Sequence, residues 1–354
     1  MEGGCPVLSV TIETAIFAPP PTDSSSDLVR RFVETLLEWK EASDDQRLEV
    51  YTSKFAAEVL MTCKLYPMRP HLKEVLARAD VFEYDANTVA VLAESILGRA
   101  PTIEDKLGIS YVLSSDLTLD PDVFLDHAPP ELREDANRCA IVLSLANRFA
   151  NEPMLRGHAI AIRTAKVGTA VRVRCLIDAI EHTRGDLAGL PIPPEYFEGS
   201  TAVCSTFHDL IMSLDETQIL RTATDETQVA ASFRIALYKR FVSQGNPVRW
   251  QDLPIFSMGR EFVNSLKNHH VMSGSGLAER LIRAVLETIC RDKLDATHAL
   301  RIGRGAGDAQ RTRGTDLAWR RDIDHEYHLH YWESKGGATE LAILVVHNEF
   351  GIPS

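Results

Sequence analysis

Between Arg313 and Lys335 the chain reads RGTDLAWRRDIDHEYHLHYWESK, its densest mixture of arginine, carboxylate, histidine and aromatic side chains. Two segments here alternate apolar and polar residues, the period of a half-buried strand. Leu317, Trp319 and Ile323 fall on one face of the first, with Asp316, Arg320 and Asp322 on the other. In the second, Tyr327, Leu329, Tyr331, Glu333 and Lys335 share a face opposite His328, His330 and Trp332. Asp324-His325-Glu326 is the polar break between them, so a hairpin is expected. Residues two apart on a strand share a face, so Glu333 and Lys335 can converge with Asp316 across the pair. Asp316 and Glu333 would then be the ligands of a Mg²⁺ ion that activates water and stabilises a departing phosphate oxygen. Lys335 would complete this catalytic trio by stabilising developing charge. In the alternative reading, Glu333 and Lys335 are an ordinary solvated strand end and Asp316 pairs with Arg320 or Arg321.

The Gly314-Thr315-Asp316-Leu317 segment followed by Glu333-Ser334-Lys335 resembles the PD-(D/E)xK nuclease motif, and the resemblance implies metal-dependent cleavage of nucleic acid. The last ninety or so residues also look like the RelE/ParE toxin architecture: two helices, then a basic antiparallel sheet. Ribonucleases of that family cut RNA without metal. The resemblance implies a site built from the residue types found at Arg313, Arg320, Arg321, His328, His330, Tyr331 and His347, with His328, His330, Tyr331 and His347 as the alternative catalytic set. A further option is a zinc site of His328, His330 and His347 with one open position.

Charge supports a local phosphate contact. The chain carries −12 overall, which argues against coating nucleic acid over its whole surface. From His298 to Arg321, however, Arg301, Arg304, Arg311, Arg313, Arg320 and Arg321 face only Asp308 and Asp316. Arg304, Arg311, Arg313, Arg320 and Arg321 are therefore candidate nucleic-acid contacts. A basic loop that docks on the protein's own acids is the competing explanation. No GxxxxGK[ST], GxSxG or HExxH motif is present, and Gly303-Arg304-Gly305-Ala306-Gly307 lacks the strand before and helix after that a dinucleotide site requires.

These residues need a framework. At 354 residues, two or three domains are expected. The helix-period stripes and Pro/Gly breaks predict an α+β protein whose N-terminal and middle regions are largely helical. Helices are expected near Leu28–Trp39, Glu49–Met61, His71–Ala79, Val89–Leu97 and Leu132–Ala150. Pro6–Phe17 has strand character, and one embedded β-hairpin is expected, His158–Thr164 with Thr169–Leu176. Gly185–Gly199, with three prolines, reads as a linker. The expected divisions are 1–188 (helical, with the hairpin), 189–258 (helical middle) and 259–354 (a basic module of helices and a small antiparallel sheet). Six cysteines without CxxC pairing, no N-terminal signal and no membrane-length apolar run lead us to expect reduced thiols and a cytoplasmic protein. The function expected is a nucleic-acid-binding protein, in its enzymatic form a nuclease (a hydrolase using magnesium), in a bacterial antiviral defence or toxin-type system. DNA or RNA is the expected target, no membrane is involved, and the helical part senses a signal, binds a partner protein or forms a homo-oligomer. The alternative is a non-enzymatic accessory subunit of a protein–nucleic acid complex.

Overall fold

The computed structural model describes residues 8–45, 48–150, 158–166, 168–183, 187, 189–246, 248–273, 276–303 and 307–353. The chain divides into two compact units, Pro6–Ser213 and Leu214–Ser354. Each contains a six-stranded sheet. With 42% helix and 25% strand, the molecule is mixed α/β, which overturns the expectation of largely helical N-terminal and middle regions with one hairpin.

In the N-terminal unit, β1 (Leu8–Ile12), α1 (Ser26–Ser43) and β2 (Leu48–Thr52) form a parallel crossover. There follow α2 (Ala56–Thr62), α3 (Arg69–Arg78), α4 (Ala86–Leu97), α5 (Ile103–Leu107), β3 (Ile109–Asp120) and α6 (Pro130–Phe149). The unit closes with β4 (Ala159–Ala161), β5 (Ala170–His182), β6 (Glu195–Cys204) and α7 (Phe207–Ser213). The sheet order is β2-β1-β4-β6-β5-β3, the first four strands parallel and the last two antiparallel additions.

The helices form where their stripes and caps indicate. The Ser25 hydroxyl accepts the Leu28 amide at the start of α1, and Val29, Phe32, Val33, Leu36 and Trp39 bury one face. Asp85 and Thr102 cap α4 and α5 in the same way, and Gly108 ends α5 at φ 69°, a left-handed turn that suits glycine. The strands were harder to read. β1 forms within the expected Pro6–Phe17 strand segment and is buried at every position. Val50, Tyr51 and Thr52, β-branched or aromatic, make β2 a strand where a helix was expected. The expected 158–176 hairpin is absent among the described residues: β4 pairs in parallel with β1 and β6, while β5 pairs with β6 and β3. The expected linker contributes the first half of β6, since Glu195–Gly199 pair with β5.

The C-terminal unit contains α8 (Glu216–Thr222), α9 (Glu226–Ser243), β7 (Phe256–Met258), α10 (Phe262–Asn268) and α11 (Leu277–Ile289). These precede β8 (Thr297–Ala299), β9 (Thr312–Arg313), β10 (Asp316–Asp322), β11 (Tyr327–Glu333) and β12 (Thr339–Val346). The sheet runs β7-β12-β11-β10-β8, with β9 on β10; only the β12–β7 pair is parallel. The expected β10–β11 hairpin forms around Asp324, whose side chain accepts the amides of Glu326 and Tyr327, each at 2.8 Å. α10 and α11 pack on β12, α11 also on β10, and Ser265 of α10 accepts the Leu344 amide at 2.9 Å. Phe233 of α9 packs its ring against Phe256 and Phe262, so the apolar face of that helix is core.

The charge is partitioned between the units. Residues 6–213 hold 20 Lys/Arg against 31 Asp/Glu, whereas residues 214–354 hold 18 of each. The five described cysteines are free thiols. Among the described residues no helix is long and apolar enough to cross a membrane.

Candidate acid–base site of the C-terminal unit

The strand register decides the fate of the expected metal trio. Leu317 lies directly opposite Glu333, and the pairing continues to Asp322 opposite His328. Directly opposed residues share a face of the sheet, so Glu333 sides with Leu317 and Asp316 points the other way. Lys335 lies beyond the end of β11, exposed in the turn toward β12. The nearby charges are also committed elsewhere. Asp316 pairs with Arg313 at 3.1 Å, and Glu333 pairs with Arg291 at 2.5 Å. Asp316, Glu333 and Lys335 therefore do not converge, and Asp316 and Glu333 do not fit a shared Mg²⁺. Among the described residues, no group of three or more His, Cys, Asp or Glu side chains is arranged to hold a metal ion, which also removes the three-histidine zinc arrangement.

Most of the basic island is consumed internally. Arg321 is 1% exposed on the helix-covered face. Its guanidinium reaches the Asp292 carbonyl at 2.6 Å, the Glu287 and Lys293 carbonyls at 3.4 Å and the Glu287 carboxylate at 3.3 Å. It closes the C-terminal end of α11, shielded from solvent. Arg313 grips Glu340 with both terminal nitrogens at 2.8 Å and lies 4.8 Å above the Trp332 ring, which holds its guanidinium above the ordinary range, first through Glu340. Arg311 donates to the Arg301 carbonyl at 2.9 Å. Arg304 lies outside the described residues. Tyr331 is also buried on the helix side, where burial pushes its phenol up to about 12, leaving it a neutral donor far from the histidine face.

What the register does assemble is a polar face made by alternate residues of β8, β10 and β11. His298 opposes Arg320, Arg320 opposes His330, and Asp322 opposes His328. Asp322 is the centre. Its Oδ1 lies 2.8 Å from His328 Nδ1 and 3.2 Å from Arg320 Nε, and its Oδ2 lies 3.2 Å from His298 Nε2. On the far side of the ring, His328 Nε2 meets His347 Nδ1 at 3.1 Å. The Asp322–His328 contact is short but not aligned as a hydrogen bond, so it acts chiefly through charge. A carboxylate there favours the proton on His328 Nδ1, which leaves Nε2 to accept from His347 Nδ1–H. His347 then turns an unprotonated Nε2 outward. His328 is buried, while His298 and His347 are exposed at the two ends of the chain of groups. Burial first, reinforced by Arg320 and His347 and opposed by Asp322, holds His328 below its usual range, so the relay keeps its neutral middle member.

The other end of this face is closed. His330 Nδ1 donates to the Gly351 carbonyl at 2.7 Å, and Trp332 donates to the Pro353 carbonyl at 2.8 Å. Ile352 packs on the small cluster of Leu300, Ala318, Trp332 and Ala342. His330 is thus a buried residue under the C-terminal segment, with its pKa pushed down to about 4 by burial. Its consequence is for stability. The unfolded chain takes up a proton near pH 6.5 and the native His330 only near 4, so stability is fully present above about pH 6.5 and is lost as pH falls toward 4. Thermal unfolding followed from pH 7.5 to 4 should show this loss, and His330→Asn should flatten the slope in that window; an unchanged slope would remove His330 as its source.

His328, His347 and Arg320 were thus visible in the sequence, but His298 and Asp322 were not recognised as site members. Asp322 stood on the same strand face as Arg320, a usable signal; three-residue β8 gave none for His298. With this geometry in hand, comparison with known proteins brings no relative: no family model, curated protein or solved structure matches the chain.

Proposed function

We propose that the Leu214–Ser354 unit cleaves RNA by general acid–base catalysis without a metal. The observation that carries this reading is the continuous contact His347–His328–Asp322–His298, exposed at both ends and flanked by Arg320. His347 Nε2 takes the proton from a ribose 2′-hydroxyl, the 2′-oxygen attacks phosphorus, and the bond from phosphorus to the 5′-oxygen breaks. His298, oriented by Asp322, gives a proton to the departing 5′-oxygen, leaving a 2′,3′-cyclic phosphate and a 5′-hydroxyl. Arg320 supplies fixed positive charge beside the reacting phosphate. The nucleophile is internal to RNA and missing from DNA, which makes RNA the substrate class. Equal numbers of acidic and basic residues in 214–354 suit a polyanion better than the strongly acidic N-terminal unit does.

The test is cleavage of labelled RNA and its all-2′-deoxy counterpart in excess EDTA. RNA cleavage with a cyclic-phosphate end, undiminished by EDTA and absent from the deoxy strand, is the expected result. Cleavage of both strands only with Mg²⁺ would refute it. Binding without cleavage would make the unit a non-enzymatic accessory module.

A further inference from the structure

A groove of about 850 Å³ lies between α2, α6 and the strand β3 of the N-terminal unit. Its charge is one-sided. Glu58, Asp116, Glu131 and Glu134 stand exposed around it, and the only basic residue in the lining is Arg138. That arginine is already committed: it pairs with Asp135, donates to Ser53 at 2.7 Å and stacks 4.0 Å over the Phe55 ring. Asp135 in turn accepts from Ser53 at 2.8 Å and from Thr14, so this pair is internally satisfied.

The groove floor holds an independent sign of a missing cation or donor. Glu104 is 2% exposed; its Oε2 accepts the Lys54 amide at 3.0 Å, but its Oε1, in the groove wall, accepts no hydrogen bond. Its nearest cation is Arg138 at 3.5 Å, whose hydrogen bonds go to Asp135 and Ser53. Burial raises the Glu104 carboxyl above its usual range, the condition that an added cation would reverse. The groove also runs along a strand. Residues 109–117 of β3 line it in unbroken succession, and β3 ends the sheet order, with only β5 beside it. Tyr111 and Leu113 on this strand are 50% and 48% exposed. An end strand presents unpaired backbone groups as a template for another strand.

We propose that this groove takes an extended, lysine- or arginine-rich polypeptide segment, laid as an added strand along the free edge of β3. Main-chain hydrogen bonds to β3 give length-dependent affinity, Tyr111 and Leu113 cover alternate apolar side chains, and the groove carboxylates take the cations. The unit's net excess of acids, 31 against 20 basic residues, draws such a segment in and repels nucleic acid.

The experiment is fluorescence anisotropy of the whole protein with a labelled alternating Lys-Val peptide of about eight residues, matched to an edge strand at ~3.3 Å per residue. Three comparisons accompany it: the Glu-Val peptide, the Lys-Val peptide N-methylated on its pairing edge, and spermine as competitor. The Lys-Val peptide should bind, the Glu-Val peptide should not, and N-methylation should weaken binding at least about tenfold. The doubly substituted Glu131→Gln, Glu134→Gln protein, altered only at exposed positions, should lose affinity to a similar degree. Absence of binding, equal binding of the N-methylated peptide, or displacement by spermine at concentrations equal to the peptide's own would each overturn the proposal; the last would make the groove a small-polyamine site.

Discussion

Asp322→Asn should lower RNA cleavage by about 10²–10⁴-fold in kcat with little change in KM, because the carboxylate orients catalytic rings without itself binding substrate. The substitution preserves size and removes charge. Three groups feel it together: His328 at 2.8 Å, Arg320 at 3.2 Å and His298 at 3.2 Å. Without the anion, His328 has no electrostatic reason to keep its proton on Nδ1. The tautomer with the proton on Nε2 would then point a donor at His347 and reverse the direction of the relay. His298 would lose the carboxylate 3.2 Å from its Nε2 that orients its ring. Single-turnover cleavage beside thermal unfolding is the measurement. A folded Asp322→Asn protein that cleaves at the wild-type rate would sink the relay, and a variant that merely unfolds would leave His347→Ala, at an exposed position, to decide it.

The second large effect is on stability. Arg321→Ala should cost about 3 kcal/mol, since truncating one member of a buried charged pair strands the remaining groups. Arg321 is 1% exposed and Glu287, its carboxylate partner, is 12% exposed at the side chain. Glu287 keeps Lys293 at 2.5 Å, so its charge is not left alone. The Glu287 and Lys293 carbonyls also keep the Asp292 and Ala296 amides, so the loss falls on the Asp292 carbonyl, 2.6 Å from the guanidinium, and on the packing of the buried side chain. Arg321→Lys should rescue little of the loss, because an ammonium cannot span those acceptors as a planar fork does. Urea unfolding of the three proteins measures this. Were Arg321 instead a phosphate contact, Arg321→Ala would weaken RNA binding and leave the unfolding midpoint where it was.

Asp322 and its neighbours on β10 show how sequence and tertiary structure divided the information. Period-two alternation correctly placed Asp322 and Arg320 on one face of β10 and His328, His330 and Trp332 on one face of β11, because side-chain direction along a strand is a local property. α1, α4, α6 and the β10–β11 hairpin were equally legible, their caps and stripes lying within a few turns of chain. The helical expectation for the N-terminal part failed for a reason of the same kind. Strand character was legible over β1 and in the segment that holds β4, but the short β2 ran into the helical pattern beyond it, and the parallel pairing of β4 with β1 and β6 has no local mark.

Register is where local reading ends. A shift of one residue in the β10–β11 pairing exchanges the partners of Asp316, and the observed pairing of Leu317 with Glu333 separates two carboxylates that spacing alone brought together. Whether an arginine meets solvent or a helix end is likewise not written beside it: Arg320 and Arg321 are neighbours in sequence, yet one faces the histidines and the other lies beneath α11. His298 joins the site from a strand 24 residues before Asp322, through pairing that only the assembled sheet creates. The sequence by itself determined which residues could do acid–base chemistry and which way each points from its own strand. The tertiary structure alone decided which of them meet, because contacts between strands depend on register and on what covers each face.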